Sequence, residues 1–202
     1  MQMPIAREPD VSGIILVGGR SRRMGEDKAL LEIAGKPLFK RVLDLFTACF
    51  DKVQLVGDRG ERFTGLSLPI FADIYPGSSL GGLYTGLLHA RTGYIFVAPC
   101  DLPFPNGKLL RYICSLRDGF DAVVPESPHG PEPLFALYSG NCLLPMQKLL
   151  ETGNLRIRDL YPHVRVRYVP YDELAHLDEE GRSFLNINTP HELARVREEL
   201  PE

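Results

Sequence analysis

An α/β fold, three layers deep around a mostly parallel central sheet, is the fold class that this sequence predicts. Short buried-strand patterns alternate with amphipathic stretches along the 202-residue chain, as expected when helices cover both faces of a sheet. The first strand pattern runs straight into Gly18-Gly19, and a later one ends in Pro99-Cys100-Asp101. Ligand-binding groups belong at such carboxyl ends in open α/β sheets. A hydrophobic content of 44% with 24% charged residues is that of an ordinary globular protein.

Residues 1–11 are expected to form a flexible leader, and residues 12–202 one domain, because no repeat, low-complexity tract or composition shift marks a linker. Gly13–Val17 reads as a buried strand, and Leu38–Phe50 as an amphipathic helix introduced by Gly35-Lys36-Pro37. Strands follow at Lys52–Val56 and Leu68–Ala72, then a helix at Leu83–Ala90 and a buried strand at Tyr94–Ala98. Lys108–Leu116 has a helical period, and Ala122–Val124 is a strand. Beyond them, Leu134–Tyr138 and Val164–Val169 are strands, with a helix at Cys142–Leu150 between them. Pro190–Leu200 closes the chain as a helix for which Thr189 is the N-cap.

Composition removes several functions. The formal net charge of −3 argues against a protein that coats nucleic acid. No apolar run approaches the roughly 20 residues that span a bilayer, and residues 1–10 lack the apolar core of a signal peptide. Cys49, Cys100, Cys114 and Cys142 make no C-x-x-C pair, so they read as small buried residues of a protein in the reducing cytoplasm. The five histidines are scattered and take structural or surface roles.

The cations are not scattered. Arg20, Arg22, Arg23 and Lys28 follow Gly18-Gly19 within ten positions. Glycines let a backbone approach a ligand and expose N–H donors, while cations neutralise phosphate oxygens. The loop lacks both G-x-x-x-x-G-K-[ST] and G-x-G-x-x-G, so it is neither an ATPase P-loop nor a dinucleotide fingerprint. Two glycines alone would be an ordinary turn; with four cations they form a phosphate site.

The whole run from Leu16 through Val17, Gly18, Gly19, Arg23 and Met24 to Lys28 resembles the signature L-A-G-G-x-S-x-R-M-G-x-D-K of molybdenum cofactor guanylyltransferases, with Val17 in place of alanine. Three further segments extend the resemblance from about Ser12 to Leu200. Asp73-Ile74-Tyr75-Pro76-Gly77-Ser78-Ser79-Leu80-Gly81-Gly82-Leu83 is similar to a nucleotide-contacting D-x-x-P-G-x-G-P-L-[AG]-G-[LI] segment, with Ser79 replacing proline. Pro99-Cys100-Asp101-Leu102-Pro103-Phe104 resembles the family's metal-binding P-C-D motif. Asn186-Ile187-Asn188-Thr189-Pro190 looks like the N-[IV]-N-T-P motif near the acceptor. Pro131 to Tyr138, with Pro133 at its centre, resembles the strand lining the acceptor side, and Arg156 and Arg158 lie near the family's cation for the acceptor phosphate. Val56 stands where the family often has a nucleotide-contacting asparagine.

The resemblance implies a Rossmann-like nucleotide-diphospho-sugar transferase fold and transfer of GMP from GTP to molybdopterin, with release of pyrophosphate. It implies that Arg23, Lys28 and Asp101 are catalytic, and that Leu16, Val17, Gly18, Gly19, Lys28, Asp73, Leu80, Gly81, Gly82 and Asp101 bind nucleotide. Asp101 would hold Mg²⁺, while Pro133, Arg156, Asn186 and Asn188 would face the acceptor. The partners implied are GTP and the molybdenum cofactor, with transient contact to cofactor-synthesis or acceptor proteins and none to nucleic acid or membrane. Gly18-Gly19 and Gly81-Gly82 look like the guanine type, since a missing methyl leaves room for a purine; related cytidylyltransferases tend to carry L-A-A-G. A cytidylyltransferase or another small nucleotidyltransferase is the enzymatic alternative. A nucleotide-binding module that has lost catalysis is the other, and the intact Arg23, Lys28 and Asp101 speak against it.

Overall fold

The computed structural model describes residues 7–18, 31–57, 63, 65–178, 180–187 and 189–200. Among them, β1 (Val11–Leu16), β4 (Lys52–Val56), β5 (Ile70–Phe71), β6 (Tyr94–Pro99), β7 (Ala122–Ser127), β8 (Gly130–Pro131), β9 (Ala136–Ser139) and β10 (Val166–Val169) form one sheet. Its order is β10-β7-β9-β6-β1-β4-β5, with β8 hairpinned onto β7. A separate hairpin joins β2 (Glu32–Ile33) to β3 (Lys36–Pro37). Most of the sheet is parallel, as expected, but β9 runs antiparallel to both β6 and β7. That reversal brings the amino end of β9, preceded by residues 131–135, to the edge where β1, β4 and β6 end.

The period of two along each strand divides the core. Ile15, Val17, Phe96 and Ala98 face α1 (Leu38–Cys49) and α3 (Gly107–Ser115). Ile14, Leu16, Ile95 and Val97 face α2 (Ser79–His89) and α4 (Leu143–Glu151). Strands apolar on both faces are what helices on both sides of a sheet require. A third cluster packs Ile187, Leu193 and Val196 around the C-terminal helix α6 (Pro190–Glu199) against Leu31 and Ile33 of the hairpin. The short helix α5 (Tyr171–Leu174) contributes Leu174 to the α1/α3 side.

Several elements depart from expectation. β1 begins at Val11, and residues 7–10 are docked rather than loose. Glu8 N–H bonds to the Cys49 carbonyl at 2.9 Å, Arg117 pairs with Glu8 at 3.1 Å, and the Asp10 carboxylate accepts from Gly93 N at 3.0 Å. The expected third strand shrinks to Ile70–Phe71. Helix α2 starts at Ser79, four residues early, because the Ser78 hydroxyl accepts from Gly81 N at 3.0 Å and caps it. Thr189 caps α6 as expected, in a reciprocal capping box with Glu192. Cys49, Cys114 and Cys142 are buried, whereas Cys100 is partly exposed, and none is in a disulfide. Burial pushes the Cys142 thiol up to about 12, so it remains a protonated, unreactive group.

The amino edge of the sheet is clasped by one carboxylate. Asp121, just before β7, accepts from Arg165 N at 2.9 Å, Arg165 Nε at 3.1 Å, Arg165 Nη2 at 3.2 Å and Asn141 Nδ2 at 2.8 Å. This ties together the starts of β7 and β10 and the turn after β9. The Arg165 guanidinium and backbone hold the Asp121 carboxyl well below the usual carboxylate range. A carboxyl whose folded-state value is depressed contributes stability above its unfolded value of about 4, and that contribution is lost as pH falls. Asp121→Asn is therefore expected to lower stability near neutrality by about 1–3 kcal/mol. Between about pH 4 and lower values the variant's thermal midpoint should fall less steeply than that of the parent protein. Parallel acid-unfolding slopes for the two proteins would contradict the clasp.

Candidate active site

The carboxyl edge of the sheet gathers three loops. The first leaves β1 at Val17-Gly18. Val17 N–H bonds to the Val56 carbonyl at 2.8 Å, and Cys100 N–H to the Leu16 carbonyl at 3.2 Å, so the loops after β1, β4 and β6 start side by side. Gly57, at the end of β4, lies directly against the first loop. A Cβ there would sit 2.5 Å from Gly18 N and 2.8 Å from the Val17 carbonyl carbon. Only glycine permits this approach, and Val56, next to it, is buried in the core. Gly19, Arg23 and Lys28, expected in the same loop, lie outside the described residues.

The second loop connects β5 to α2. Asp73 is partly buried, and its Oδ1 accepts from Tyr75 N at 3.0 Å and from the Thr85 hydroxyl at 3.3 Å. Gly77 has φ +97°, a left-handed conformation suited to glycine. Leu80 is fully buried in the core under α2. A Cβ at Gly81 would lie 2.0 Å from the Tyr75 carbonyl oxygen, and one at Gly82 would lie 3.2 Å from Leu16 Cδ2. The space freed by those two missing methyls is therefore filled by the protein itself. Gly81 and Gly82 thus seat α2 against the Asp73 loop and β1.

The third loop follows β6. Asp101, partly exposed, stands two residues past the end of that central strand, and its backbone carbonyl accepts from Ile187 N at 3.4 Å. Residues some 86 positions apart in sequence thus meet at the carboxyl edge. Ile187 is fully buried, which pins the Asn186-Ile187 segment beside Asp101. Asn186 is partly buried and its Nδ2 donates to the Phe184 carbonyl at 3.4 Å; Asn188 lies outside the described residues. Downstream of Asp101, the Phe104 ring carries the Arg182 guanidinium 3.9 Å from its centroid, and Arg182 pairs with Glu199 of α6. The loop bearing Asp101 is thereby fastened to the C-terminal helix.

Two of the expected acceptor segments meet: Phe135, two residues past Pro133, packs edge-on against Phe184, two residues before Asn186, with ring centroids 5.9 Å apart, whereas Ile157, next to Arg156, packs on the other face of the sheet. The Pro133 carbonyl accepts from the Tyr138 hydroxyl at 2.8 Å, which fixes the turn entering β9. Along the edge strand β10, an open cleft of about 520 Å³ is lined by Pro131, Arg158, Tyr161, Val164, Val166 and Tyr168, among others. Arg158 contributes to that lining. Arg156 does not; it is exposed on the segment leading from α4 into the 3₁₀ turn Ile157–His163. Burial pushes the Tyr161 hydroxyl up to about 12, keeping it protonated. Burial likewise raises the carboxyl of Glu132, next to Pro133, above its usual range.

Sequence reasoning missed Gly57, Thr85 and Arg182. Nothing in a helical pattern distinguishes Thr85 from a surface threonine. Gly57 follows a strand pattern, and nothing in the sequence shows that it packs against the Val17-Gly18 loop.

A mixed sheet of this order, with two glycine-bounded loops and an aspartate converging at its carboxyl edge, is an α/β fold with its ligand crevice where the strands end. The chain belongs to the MobA-like NTP transferase domain family, whose match covers residues 13–166. It is 36% identical over 187 residues to the probable molybdenum cofactor guanylyltransferase of Pelotomaculum thermopropionicum, covering 92% of this chain and 91% of that protein. It is 35% identical to the molybdenum cofactor guanylyltransferase of Desulfosudis oleivorans, covering 92% and 94% respectively. Among solved structures, molybdopterin-guanine dinucleotide biosynthesis protein A from Archaeoglobus fulgidus superposes with a TM-score of 0.82 at 29% identity, over 93% of this chain and 97% of that one.

Proposed function

We propose that the protein transfers GMP from GTP to molybdopterin, with or without bound molybdenum, giving molybdopterin guanine dinucleotide and pyrophosphate. The observation that carries this reading is the Ile187–Asp101 hydrogen bond, which joins the N-I-N segment to the aspartate that closes β6. A nucleotide site and an acceptor segment in contact are what a two-substrate transfer needs. The names of the relatives, at 36% and 35% identity over more than nine-tenths of the chain, support the same reaction.

In this reading the acceptor phosphate oxygen attacks the α-phosphorus of GTP and pyrophosphate leaves. A phosphate monoester is already mostly ionised near pH 7, so no general base is required. The protein's task is to align the two substrates and neutralise charge. The backbone at Val17-Gly18, with Gly19, contacts the nucleotide, and Arg23 and Lys28 hold the triphosphate and the departing charge. Asp73 and the first turn of α2 at Leu80-Gly81-Gly82 border the nucleotide on its other side. The acceptor role falls to Asn186, Asn188 and the Pro133 turn, with Arg156 or its neighbour Arg158 as the cation for the acceptor phosphate.

Asp101 fits a divalent cation of one kind. Among the described residues no three His, Cys, Asp or Glu side chains gather as a cage, and Mg²⁺ commonly takes one or two carboxylates and draws its other oxygens from phosphates and water. Held by Asp101, Mg²⁺ would neutralise and orient phosphate oxygens. The reading also carries a cytoplasmic setting and transient contacts with cofactor-synthesis or acceptor proteins. No helix among the described residues is long and apolar enough to cross a membrane.

Incubation with Mg²⁺, molybdopterin and either GTP or CTP, followed by pyrophosphate release, tests the nucleotide choice. Release with GTP and little with CTP is expected. Faster turnover of CTP would replace guanylyl with cytidylyl transfer.

A further inference from the structure

We infer that Thr85 is a positioning residue for the nucleotide: its buried hydroxyl holds the Asp73 carboxylate and the start of its loop against helix α2. The inference rests on the proposed contact between Asp73 and the nucleotide. Thr85 lies in the middle of α2 with none of its surface exposed. A threonine inside a helix ordinarily bonds back to its own preceding turn. Here the hydroxyl turns outward to the neighbouring loop. It accepts from Ile74 N at 3.0 Å and donates to Asp73 Oδ1 at 3.3 Å. The same Oδ1 accepts from Tyr75 N at 3.0 Å.

A hydroxyl has one proton to donate and two lone pairs. Thr85 therefore fixes two consecutive residues, the side chain of Asp73 and the backbone of Ile74. The glycines of the same helix close the other side: a Cβ at Gly81 would stand 3.0 Å from Asp73 Oδ1 and one at Gly82 3.9 Å from Oδ2. The carboxylate is thus held over the first turn of α2 in one orientation. That turn is also where helix N–H groups favour negative charge. Deleting the hydroxyl removes the Thr85 donor from Asp73 Oδ1 and the Thr85 acceptor from Ile74 N. The Asp73 loop, still bonded through Tyr75 N, would then be held less firmly against α2, which weakens nucleotide binding without touching the chemical step.

The test compares Thr85→Val, which keeps the shape and loses the hydroxyl, with Thr85→Ser, which keeps it, and with Asp73→Ala. Steady-state kinetics with GTP are measured on the full chain. Loss of one buried hydrogen bond predicts a KM for GTP raised by about three- to tenfold in Thr85→Val, with kcat changed less than about twofold. Thr85→Ser should restore KM. Adding Thr85→Val to Asp73→Ala should raise KM no further than Asp73→Ala alone. A purely structural threonine would lower the thermal midpoint, leave KM alone and add to Asp73→Ala. If Asp73→Ala raises KM and Thr85→Val does not, the positioning role is wrong and the Asp73 contact stands. If Asp73→Ala itself leaves KM unchanged, the Asp73 contact fails and the role of Thr85 goes with it. Should Thr85→Val not fold, Thr85→Ala supplies the same comparison.

Discussion

Turnover of GTP is expected to fall by on the order of 10²-fold or more in Asp101→Ala, the loss seen when one preorganised charge-stabilising group is removed. The fold should survive, because several contacts that do not use its carboxylate hold the Asp101 segment. Its backbone carbonyl binds Ile187 N at 3.4 Å. Leu102, next to it, is buried in the α1/α3 core, and Phe104 stacks under Arg182. These contacts remain when the side chain is cut back to a methyl. A thermal midpoint close to the parent's, with turnover lost, is the expected pair of results. Near-normal turnover would remove Asp101 from the chemistry and leave it as a turn residue.

Gly81→Ala should have the second largest effect, and it should be felt in both stability and nucleotide binding. The added methyl would start 2.0 Å from the Tyr75 carbonyl oxygen, far inside contact distance. A backbone atom cannot swing aside as a side-chain tip can, so either α2 or residues 73–77 must move. Overpacking of this kind costs about 1–3 kcal/mol, occasionally more. For a chain of this size each kcal/mol lowers the midpoint by about 2–4 °C. The same movement displaces Asp73, so the KM for GTP should rise by about tenfold, the factor that 1.4 kcal/mol of lost binding gives. Gly82→Ala is the internal comparison. Its methyl would meet Leu16 Cδ2 at 3.2 Å, the end of a flexible side chain that can yield. Its effect should be several times smaller. Equal effects at the two positions would contradict the packing role assigned to Gly81.

Much of this architecture was legible because the central strands are apolar on both faces. β1, β4 and β6 sit within two residues of their expected places, and a buried parallel strand leaves few other ways to accommodate its side chains. α1 and α6 were equally visible, one through its amphipathic period and the other through Thr189 and Pro190. The direction of β9 was not legible, since strand pattern carries no sign and only pairing with β6 and β7 sets it. The first turn of α2 was hidden by Gly81-Gly82, poor helix formers that are retained because Tyr75 and Leu16 press against them.

At the site, the position of Asp101 after a central strand followed from the pattern alone. Its meeting with Asn186-Ile187 was not legible, because local pattern says nothing about a contact between residues so far apart. Gly81 and Gly82 show a related limit. A missing side chain marks a close neighbour, and the sequence cannot say whether that neighbour is a ligand or another part of the chain.

In the proposed reaction the bond broken lies between the α- and β-phosphates of GTP, and the α-phosphate passes to a phosphate acceptor. GTP labelled in turn at its α- and γ-phosphorus, incubated with the protein, Mg²⁺ and molybdopterin, reads this directly. α-Label should appear in molybdopterin guanine dinucleotide, and γ-label in pyrophosphate, each only when acceptor is present. γ-Label released as inorganic phosphate, with the α-label left in GDP, would contradict nucleotidyl transfer.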